Sequence, residues 1–487
     1  MPPVPEIRVK KVNDKKINPD GDFILYWMIG SRRLQWNYSL DRALEWAVKL
    51  NRPVIVLEAL RCDYKWASER LHKFIMEGMA CNYRDAEGKN ILYYPYAEPA
   101  VNAGKGLLKA LSEHACLTVT DDFPVFFLPS MVKRAADLVS TYLELVDSNG
   151  LLPLMEPDRE FTTAYSFRRF LQKRLPAFLP DHPDKSPLDS PDIPAAGRIP
   201  GQIKKKWPPV PVESLKKCNE LIKNLPVDHG VTGAGLMGGT KTARGLLNMF
   251  INEKLPGYSE RRNQPEQDAQ SGLSPYLHFG HISSHEIFHR VQENENWHIG
   301  KLSEKTDGKR SGWWGMSGSS EEFLDQLVTW REIGFNMCSR RPDCDRYESL
   351  PDWAKKTLKD HEMDEREYIY SPEEFENAGT HDPLWNAAQR QLKKEGIIHN
   401  YLRMLWGKKI LEWSETPKKA LKTMLHLNNR YALDGRDPNS LSGIFWTLGR
   451  YDRAWGPERK IFGKIRYMSS KNTARKVRVT DYIKKYS

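Results

Sequence analysis

The 487-residue sequence lacks the features of a membrane protein, a secreted protein and a disordered chain. No apolar run approaches the roughly 18 residues of a membrane span, and no apolar segment follows the basic first residues as in a signal peptide. The six cysteines are scattered and never spaced C-x-x-C, which argues against a disulfide framework or a zinc ribbon. Hydrophobic residues make up 40% of the chain, enough for a large core. We expect a folded intracellular protein without a membrane partner.

Positive charge is concentrated near the end of the sequence. The formal net charge is +11, and the stretch from Lys460 to Ser487 contains nine Lys or Arg residues against one acid, Asp481. Such a basic, aromatic-interleaved segment is typical of a surface that binds a polyanion such as nucleic acid. A solvated tail without a partner explains the same charge, so both interpretations stay open.

The pattern of apolar residues predicts two domains of different class. Residues 22–150 alternate short apolar runs with amphipathic stretches, which predicts βαβ units on a parallel sheet and a Rossmann-like α/β domain behind an extension, 1–21. Ten prolines between Pro176 and Pro211 indicate a long interdomain linker, assigned to 151–232. Residues 233–487 are rich in segments of helical period and predict an all-helical domain.

Gly233, Gly235 and Gly238 satisfy G-x-G-x-x-G, the pattern of dinucleotide-binding loops. The residues before them, LIKNLPVDHG, do not read as a buried strand, which that loop requires. We therefore favour a flexible loop that enters a helix at Thr240.

His285, Glu286 and His289 match the H-E-x-x-H pattern, which on a helix places two imidazoles on one face for zinc. Chance produces this pattern in on the order of a few per cent of such chains, and no third ligand follows at the usual spacing. A zinc peptidase is the first competing hypothesis, and we expect no metal.

Three tryptophans of the second half are arranged at suggestive positions. Trp406 and Trp413 are seven residues apart and share one helix face, while Trp385 belongs to a neighbouring segment. Aromatic residues at helical spacing are usually core. A row of indoles that conducts electrons between a buried redox centre and the surface has the same spacing, which by itself does not decide between the two.

Five long segments, taken together and in order, resemble the class II cyclobutane pyrimidine dimer photolyases of the photolyase/cryptochrome family. They are Ser271–Ser284, Thr380–Gln389, Arg403–Pro417, Leu427–Asn439 and Gly463–Met468. The resemblance is strong from about Tyr258 to the end and weaker but colinear before it, where Arg159–Arg169 also matches.

The resemblance implies an α/β antenna domain and a helical domain that buries FAD, active as reduced FADH⁻. The positions matching the family's flavin contacts are Tyr258, Gln270, Ser271, Gly272, Leu273, Ser274, Arg403, Asn428, Asp434 and Asp437. Among them Arg403 and Asp434 match a buried pair beside the flavin ring, and Asn428 matches the asparagine that faces flavin N5. A cation beside the ring favours an anionic reduced flavin.

By the same resemblance the tryptophans form the electron path, with Trp406 nearest the flavin, Trp385 intermediate and Trp413 at the exit. An antenna chromophore, for example a deazaflavin, is an expectation of the family. The residues from Tyr26 to Trp46 contain no motif specific enough to name it.

The implied partner is DNA that contains pyrimidine dimers. Positions matching the lesion pocket or the space that a flipped dimer vacates are Arg262, Asn263, Met404, Trp446 and Trp455, with Lys464 and Arg466 among the bases expected on phosphates. The family places a glutamate where this chain has Gln326. A glutamine amide hydrogen-bonds a thymine but cannot relay a proton, so we expect binding to survive and repair to be less efficient.

The departure at Gln326 keeps a second hypothesis open, a cryptochrome-like blue-light photoreceptor without efficient repair. The chain ends about twenty residues after GKIRYM without an added signalling tail, which favours repair. We expect a monomer in the cytoplasm, associated with the nucleoid if the source is prokaryotic.

Overall fold

The computed structural model describes residues 3–190 and 192–487, which form two compact units. The first comprises the residues up to Glu156 with Leu175–Asn248 and Leu273–Asn294, and the second comprises Pro157–Arg174, Met249–Gly272 and Glu295–Ser487. Each unit therefore combines segments that are distant in sequence. The consecutive domain boundaries inferred from the sequence stay a proposal.

The first unit contains a six-stranded sheet. Its strands are β1 (Val9–Lys11), β2 (Phe23–Met28), β3 (Val54–Leu60), β4 (Ile91–Ala97), β5 (Ala115–Asp121) and β6 (Leu143–Val146). They lie in the order β1-β6-β5-β2-β3-β4, and all neighbours are parallel except the β1–β6 pair. The predicted α/β domain is confirmed. The antiparallel edge strand β1 lies in the segment that the sequence indicated only as an extension.

Both faces of the sheet are covered, as in doubly wound folds. Every residue of β2 and of β5 is buried, which explains why these strands read as continuous apolar runs rather than alternating ones. Successive side chains of a strand enter opposite cores, so that Tyr26 packs in one apolar cluster and Leu25 in the other.

The helices of the described residues follow in chain order. In the first part of the chain they are α1 (Tyr38–Leu50), α2 (Glu69–Ala86), α3 (Leu107–Ser112), α4 (Leu128–Leu138), α5 (Ala164–Arg174), α6 (Gly201–Lys206), α7 (Val212–Lys216), α8 (Cys218–Ile222), α9 (Thr240–Met249), α10 (Tyr258–Arg261), α11 (Ser274–His278) and α12 (Ser284–Asn294). They continue with α13 (Gly318–Leu324), α14 (Arg331–Arg340), α15 (Asp352–Asp360), α16 (Pro372–Glu376), α17 (Pro383–Glu395), α18 (Asn400–Trp413), α19 (Pro417–Tyr431), α20 (Pro438–Thr447), α21 (Ser470–Lys476) and α22 (Thr480–Lys485).

A carboxylate occupies the point of the sheet where parallel folds most often bind ligands. This point lies at the carboxyl ends of β2 and β5, where the strand order reverses. There Asp121 Oδ2 accepts hydrogen bonds from the backbone N–H groups of Ile29, Gly30 and Ser31 at 2.7–3.0 Å, and Oδ1 accepts one from the Tyr26 hydroxyl at 2.8 Å. The carboxylate therefore fixes the loop after β2, and burial beside it raises the pKa of Tyr26.

The second unit is helical, and two π-helical turns interrupt its helices, at Phe250–Lys254 and Asp325–Trp330. The second turn joins α13 to α14 and contains Gln326. It is held by Asp325, which accepts from Arg168 Nε at 2.8 Å and from Trp330 Nε1 at 3.1 Å. Arg168 comes from α5, so the Arg159–Arg169 segment contributes directly to this helical unit. No described helix combines the length and the apolar character that a bilayer crossing requires.

Candidate functional site

The amino-terminal half of α18 carries the ion pair that the resemblance implies. Arg403 Nη2 lies 3.0 Å from Asp434 Oδ1 and 3.1 Å from Oδ2. Asp434 belongs to the turn between α19 and α20, so the pair links two segments about thirty residues apart. The structure thus brings these two predicted residues together, with both side chains largely buried.

The turn that presents Asp434 is built from its own backbone. Arg436 adopts a left-handed conformation with φ of 64°, and its guanidinium donates to the carbonyl oxygens of Ala432 and Leu433. Asp437 then caps α20 by accepting from the N–H of Asn439 at 2.8 Å. In this way the LDGRDPN segment fixes two of the predicted flavin contacts.

Asn428 lies buried on α19, facing α20. Its amide Nδ2 donates to Ser440 Oγ at 2.9 Å and to Asn429 Oδ1 at 3.2 Å. Both bonds use the amino group, so the side chain has a defined orientation.

His399 is a buried residue of this region that the sequence reasoning missed. It precedes the first turn of α18, and its carbonyl accepts the N–H of Arg403 at 2.9 Å. Neither ring nitrogen has a hydrogen-bond partner among the described residues. Burial and then the Arg262 charge lower the pKa of His399 to about 4, so the ring is neutral at physiological pH. The only sequence signal was a histidine one turn before Arg403.

The two orphaned nitrogens of His399 bear on whether a polar cofactor fits here. A buried polar atom without a partner costs about 1–3 kcal/mol, so such atoms mark places where a group outside the chain completes the hydrogen bonding. One turn along α18 are a cation, Arg403, and its carboxylate partner, Asp434. This set suits a ligand with polar and anionic parts, which fits a flavin dinucleotide.

Tyr258 and Arg262 form a second group around α10. The Tyr258 ring is buried edge-on against Phe250 and Phe323, at 5.5 and 5.7 Å between ring centroids. The Arg262 guanidinium lies 5.5 Å from the Tyr258 ring and is paired with Glu322 of α13. The Glu322 carboxylate was not anticipated, and it places an acid one turn before Gln326.

The segment Gln270–Ser274 is divided between the two units along the chain. Gln270, Ser271 and Gly272 belong to the second unit, and Leu273 and Ser274 belong to the first. Gly272 has φ of +69°, a conformation that favours glycine, and a Cβ at this position would meet nothing within 4 Å. Leu273 is buried, whereas Gly272 and Ser274 are exposed.

The three tryptophans are buried next to one another in the helical unit. Trp385, Trp406 and Trp413 have relative exposures of 0%, 2% and 3%. Trp385 Nε1 donates to the Trp406 carbonyl at 3.0 Å, and the Trp385 and Trp413 rings are 6.1 Å apart between centroids at 71°. Trp385 thus contacts both other residues, and the order of electron transfer from Trp406 through Trp385 to Trp413 stays a prediction.

The Trp406 indole is hydrogen-bonded to an amide. Trp406 Nε1 donates to Gln389 Oε1 at 2.9 Å, and Gln389 lies one turn after Trp385 on α17. The Asp382 side chain sets the start of α17 by accepting the N–H groups of Leu384 and Trp385. Because an amide oxygen is not a base at neutral pH, Gln389 accepts this hydrogen bond but cannot take up the indole proton.

Of the predicted lesion contacts, Trp446 has a clear aromatic partner. Its ring stacks on that of Trp330, with centroids 4.5 Å apart and an angle of 20°. Gln326 and Met404 are both half-buried. Trp330 is thus a further aromatic residue of this area, to which the sequence analysis gave no role.

The remaining predicted DNA contacts lie at the surface. Trp455 is 37% exposed, with the guanidinium groups of Arg453 and Arg466 at 5.1 and 5.3 Å from its ring. Asn263, Lys464 and Arg466 are exposed, and Lys464 is paired with Glu458 at 3.2 Å. Exposed pairs of this kind contribute little and exchange readily for phosphate.

The basic segment after Lys460 is folded. It contains α21 and α22, and Tyr482 of α22 is buried with its hydroxyl donating to Gln391 Oε1 at 2.7 Å. Arg475, Lys476 and Arg478 remain exposed on this ordered support. An ordered basic surface is consistent with a nucleic-acid partner.

The two sequence patterns set aside earlier have structural uses. Gly238 approaches α2 so closely that a Cβ would lie 2.0 Å from the Phe74 carbonyl oxygen, and α9 begins at Thr240 as predicted. His285 Nε2 lies 3.0 Å from the Gly150 carbonyl oxygen, and Glu286 is paired with Arg244. Among the described residues no group of three or more His, Cys, Asp or Glu side chains could hold a metal ion.

Comparisons with known proteins place the chain among light-dependent repair enzymes. No family model matches it. It is 33% identical to the deoxyribodipyrimidine photo-lyase of Methanothermobacter thermautotrophicus, over 98% of this chain and 97% of that protein. It is 32% identical to that of Potorous tridactylus, over 100% and 86% of the two chains, and 30% identical to that of Arabidopsis thaliana, over 96% and 89%.

A solved structure shows the same fold. The class III photolyase of Agrobacterium tumefaciens aligns over 96% of this chain and 86% of its own with a TM-score of 0.67, at 18% identity. The names of the three sequence relatives specify no class, so the class II resemblance stays a prediction. The identities, spread over nearly the whole chain, are decisive for the family: the chain belongs to the deoxyribodipyrimidine photo-lyases of the photolyase/cryptochrome family.

Proposed function

We propose that this protein repairs cyclobutane pyrimidine dimers in DNA under blue light, as a class II photolyase with FAD as its cofactor. The observation that carries the proposal is the arrangement on α18, where the Arg403–Asp434 pair and the innermost indole, Trp406, lie one turn apart. A polar cradle for a cofactor therefore adjoins a buried path for electrons.

The residues that would hold FAD are those that the resemblance implies together with His399. Arg403 favours a negative charge on the ring system, Asp434 holds Arg403 in place, and His399 offers two unused ring nitrogens. Held by these residues, a reduced flavin would supply the light-driven electron-transfer chemistry for opening the cyclobutane ring.

The chain's own contribution to electron flow is the row of indoles. Trp406 would donate an electron inward, and Trp385 and Trp413 would pass the missing charge outward through the contacts described above. The bond from Trp406 to Gln389 keeps the indole proton in place, so the charge on Trp406 stays mobile.

The dimer would have to leave the duplex to be repaired. Flipping costs a few kcal/mol and less for a poorly stacked lesion, which contributes to selectivity. Arg262, Asn263, Gln326, Met404, Trp446 and Trp455 are the proposed lesion contacts. The stacked Trp330–Trp446 pair offers an aromatic surface for a base, and the exposed bases from Lys464 to Arg478 would bind phosphates. We further propose that the protein acts as a monomer in the cytoplasm, and on the nucleoid if the source is prokaryotic.

The test is recovery of thymines from an oligonucleotide with one thymine dimer, using the reduced flavin-loaded protein under blue light. We expect recovery in light and none in the dark. Gln326→Glu, which introduces a carboxylate beside the site, should increase recovery per absorbed photon, because a carboxyl group can relay a proton. Binding of the dimer without recovery in the light would favour the photoreceptor hypothesis instead.

An antenna chromophore, for example a deazaflavin, belongs to the same proposal. The residues from Tyr26 to Trp46 lie in the first unit. There the Tyr26 hydroxyl donates a hydrogen bond to Asp121, and the Trp46 ring lies beside the charged groups of Arg42 and Lys49. An absorption spectrum of the purified protein tests this part, because a second chromophore adds a band to those of the flavin.

A further inference from the structure

One side of the helical stretch 321–330 is partly open, while the rest of the stretch is buried. Glu322, Gln326 and Trp330 are half-buried, and every other residue between 321 and 330 is buried. The three are spaced four residues apart, so they lie on one face of the helix that runs from α13 through the π-helical turn. Another molecule can therefore approach this stretch along these three side chains, the 322–330 stripe.

The 322–330 stripe changes in chemical character from one end to the other. At one end the Trp330 ring stacks on that of Trp446, with 4.5 Å between ring centroids. The Gln326 amide lies in the middle, and at the other end the Glu322 carboxylate is paired with the Arg262 guanidinium. An aromatic surface, an amide and a guanidinium suit a flipped pyrimidine, whose ring stacks and whose edge hydrogen-bonds. Three of the proposed lesion contacts thus belong to the stripe or adjoin it, and Glu322 is its charged member.

Two neighbours hold the Arg262 guanidinium in place. Its Nη1 donates to the Glu322 carboxylate, and the Tyr258 ring lies 5.5 Å from it. The Tyr258 ring is itself fixed, because it packs edge-on against Phe250 and Phe323. The Arg262 side chain is 11% exposed, whereas that of Glu322 is 32% exposed. Arg262 is thus a largely buried cation whose charge is balanced by the more exposed Glu322.

We propose that Glu322 determines specificity for the lesion by positioning Arg262. This inference rests on the proposed function, because it concerns recognition of a dimer in DNA. A guanidinium group has five N–H donors, so the pair with Glu322 leaves others for the carbonyl oxygens of a flipped pyrimidine. The same pair cancels the charge that would otherwise attract a phosphate of undamaged DNA. Arg262 therefore reads the lesion and adds little to non-specific binding.

The place of the carboxylate matters because position 326 is neutral. The family resemblance implies a glutamate at 326, but this chain has glutamine there and a carboxylate one helical turn earlier, at Glu322. A neutral amide bonds the edge of a pyrimidine but does not balance a cation. Within the 322–330 stripe, only Glu322 balances the Arg262 charge. Without that carboxylate, a phosphate becomes the favourable partner for Arg262, since a largely buried charge is costly when unpaired.

Arg262 also lies within electrostatic reach of the proposed cofactor site. Its charge is the second cause, after burial, of the lowered pKa of His399. His399 immediately precedes α18, one turn before Arg403. A dimer bonded to Arg262 is therefore held near the end of α18 where the flavin is proposed.

The experiment measures binding in the dark by the full-length flavin-loaded protein, with a duplex that contains one thymine dimer and the same duplex undamaged. Each affinity is measured between about 50 and 200 mM salt, because every phosphate contact adds about 0.9 to the slope of log affinity against log salt. In Glu322→Gln, which keeps the shape of the side chain, the slope for undamaged duplex should steepen by about 0.9. The ratio of the two affinities should fall about tenfold, the size of one charge-assisted hydrogen bond, because Arg262 no longer favours the lesion.

A double variant separates positioning of Arg262 from simple repulsion between Glu322 and DNA. In Arg262→Gln the affinity ratio should fall while the slope for undamaged duplex stays that of the unaltered protein. Adding Glu322→Gln to this variant should then change neither quantity. Glu213→Gln is the control, because Glu213 pairs with Lys216 at the surface of the first unit, and it should leave both quantities unaltered.

Three results would overturn this inference alone. They are an unaltered slope and ratio in Glu322→Gln of a protein that prefers the dimer, a shallower slope in Arg262→Gln, and a steeper slope in the double variant than in Arg262→Gln. An unaltered protein that binds both duplexes equally and restores no thymines in light would instead overturn the proposed function. The flavin content and the near-ultraviolet circular dichroism of each variant verify that its fold is intact.

Discussion

The two ends of helix α18 differ in how their polar groups are used. At the amino-terminal end, His399 is buried with neither ring nitrogen partnered among the described residues, next to the Arg403–Asp434 pair. At the other end, Trp413 is in contact with Tyr370, His381 and Lys409, and the Tyr370 hydroxyl, the His381 ring and the Lys409 ammonium group each have a partner within the chain. For this reason the proposed cofactor site is at the amino-terminal end of α18 and the proposed charge path at its carboxyl-terminal end.

The largest expected effect comes from removing the carboxylate that pairs with Arg403 near the amino-terminal end of α18. Asp434→Asn keeps the shape of the side chain but leaves Arg403 without a counter-charge in a largely buried place. We expect flavin affinity to fall by about 3 kcal/mol, or about 100-fold, since removing one partner of a buried pair is costly. Flavin retained per protein after dialysis is the measurement.

Asp360→Asn is the control for that change. Asp360 pairs with Lys356 at 2.9 Å on the exposed face of α15, so its loss should leave flavin binding unaltered. Equal flavin retention in the Asp434 and Asp360 variants would show that the Arg403–Asp434 pair does not help to hold the cofactor.

An intermediate effect, on the pH dependence of stability, is expected from replacing Lys408. This residue lies between the two ends of α18 and is fully buried. Its Nζ donates to the Thr447 carbonyl at 2.6 Å, and burial lowers the pKa of Lys408 to about 7, with Asp452 raising it and Arg466 lowering it. The unfolded chain holds this proton up to about pH 10.5 and the native protein releases it near pH 7, so native stability rises with pH between these values.

Lys408→Met removes this dependence. Between pH 7 and pH 9 the free energy of unfolding of the unaltered protein should rise by about 2 kcal/mol relative to the variant. Denaturant unfolding of both proteins at the two pH values measures the difference. A constant difference would mean that Lys408 keeps its proton in the native protein.

The smallest effect is expected at the carboxyl-terminal end of α18, from a change in the charge beside Trp413. Lys409→Met removes the cation beside Trp413, which should favour a positive charge on Trp413 by about 0.5–1 kcal/mol, or about two- to fivefold. The yield of the tryptophan radical after a flash measures this change in the flavin-loaded protein. An unchanged yield would show that Glu412 already neutralises Lys409.

The sequence predicted the sheet well because its strands are buried on both faces. Runs such as FILYWM are apolar throughout, and their alternation with amphipathic stretches indicated the parallel order. Strand β1 was not predicted, since its residues Val9–Lys11 are mostly polar and pair only at one edge. The π-helical turn at Asp325–Trp330 was also missed, because apolar periodicity does not distinguish it from an α-helix.

The spacing of Trp406 and Trp413 along one helix was enough to place them on the same face. The resemblance of whole segments to the family supplied their partners. Both inferences use residues that are close together in the sequence. Only the tertiary structure decided that Tyr370 and His381 stand against Trp413, that Glu322 holds Arg262, and that the His399 ring lacks a partner among the described residues. These contacts join residues from separate helices and loops, and their distances depend on how the elements pack, which no pattern within a single segment specifies.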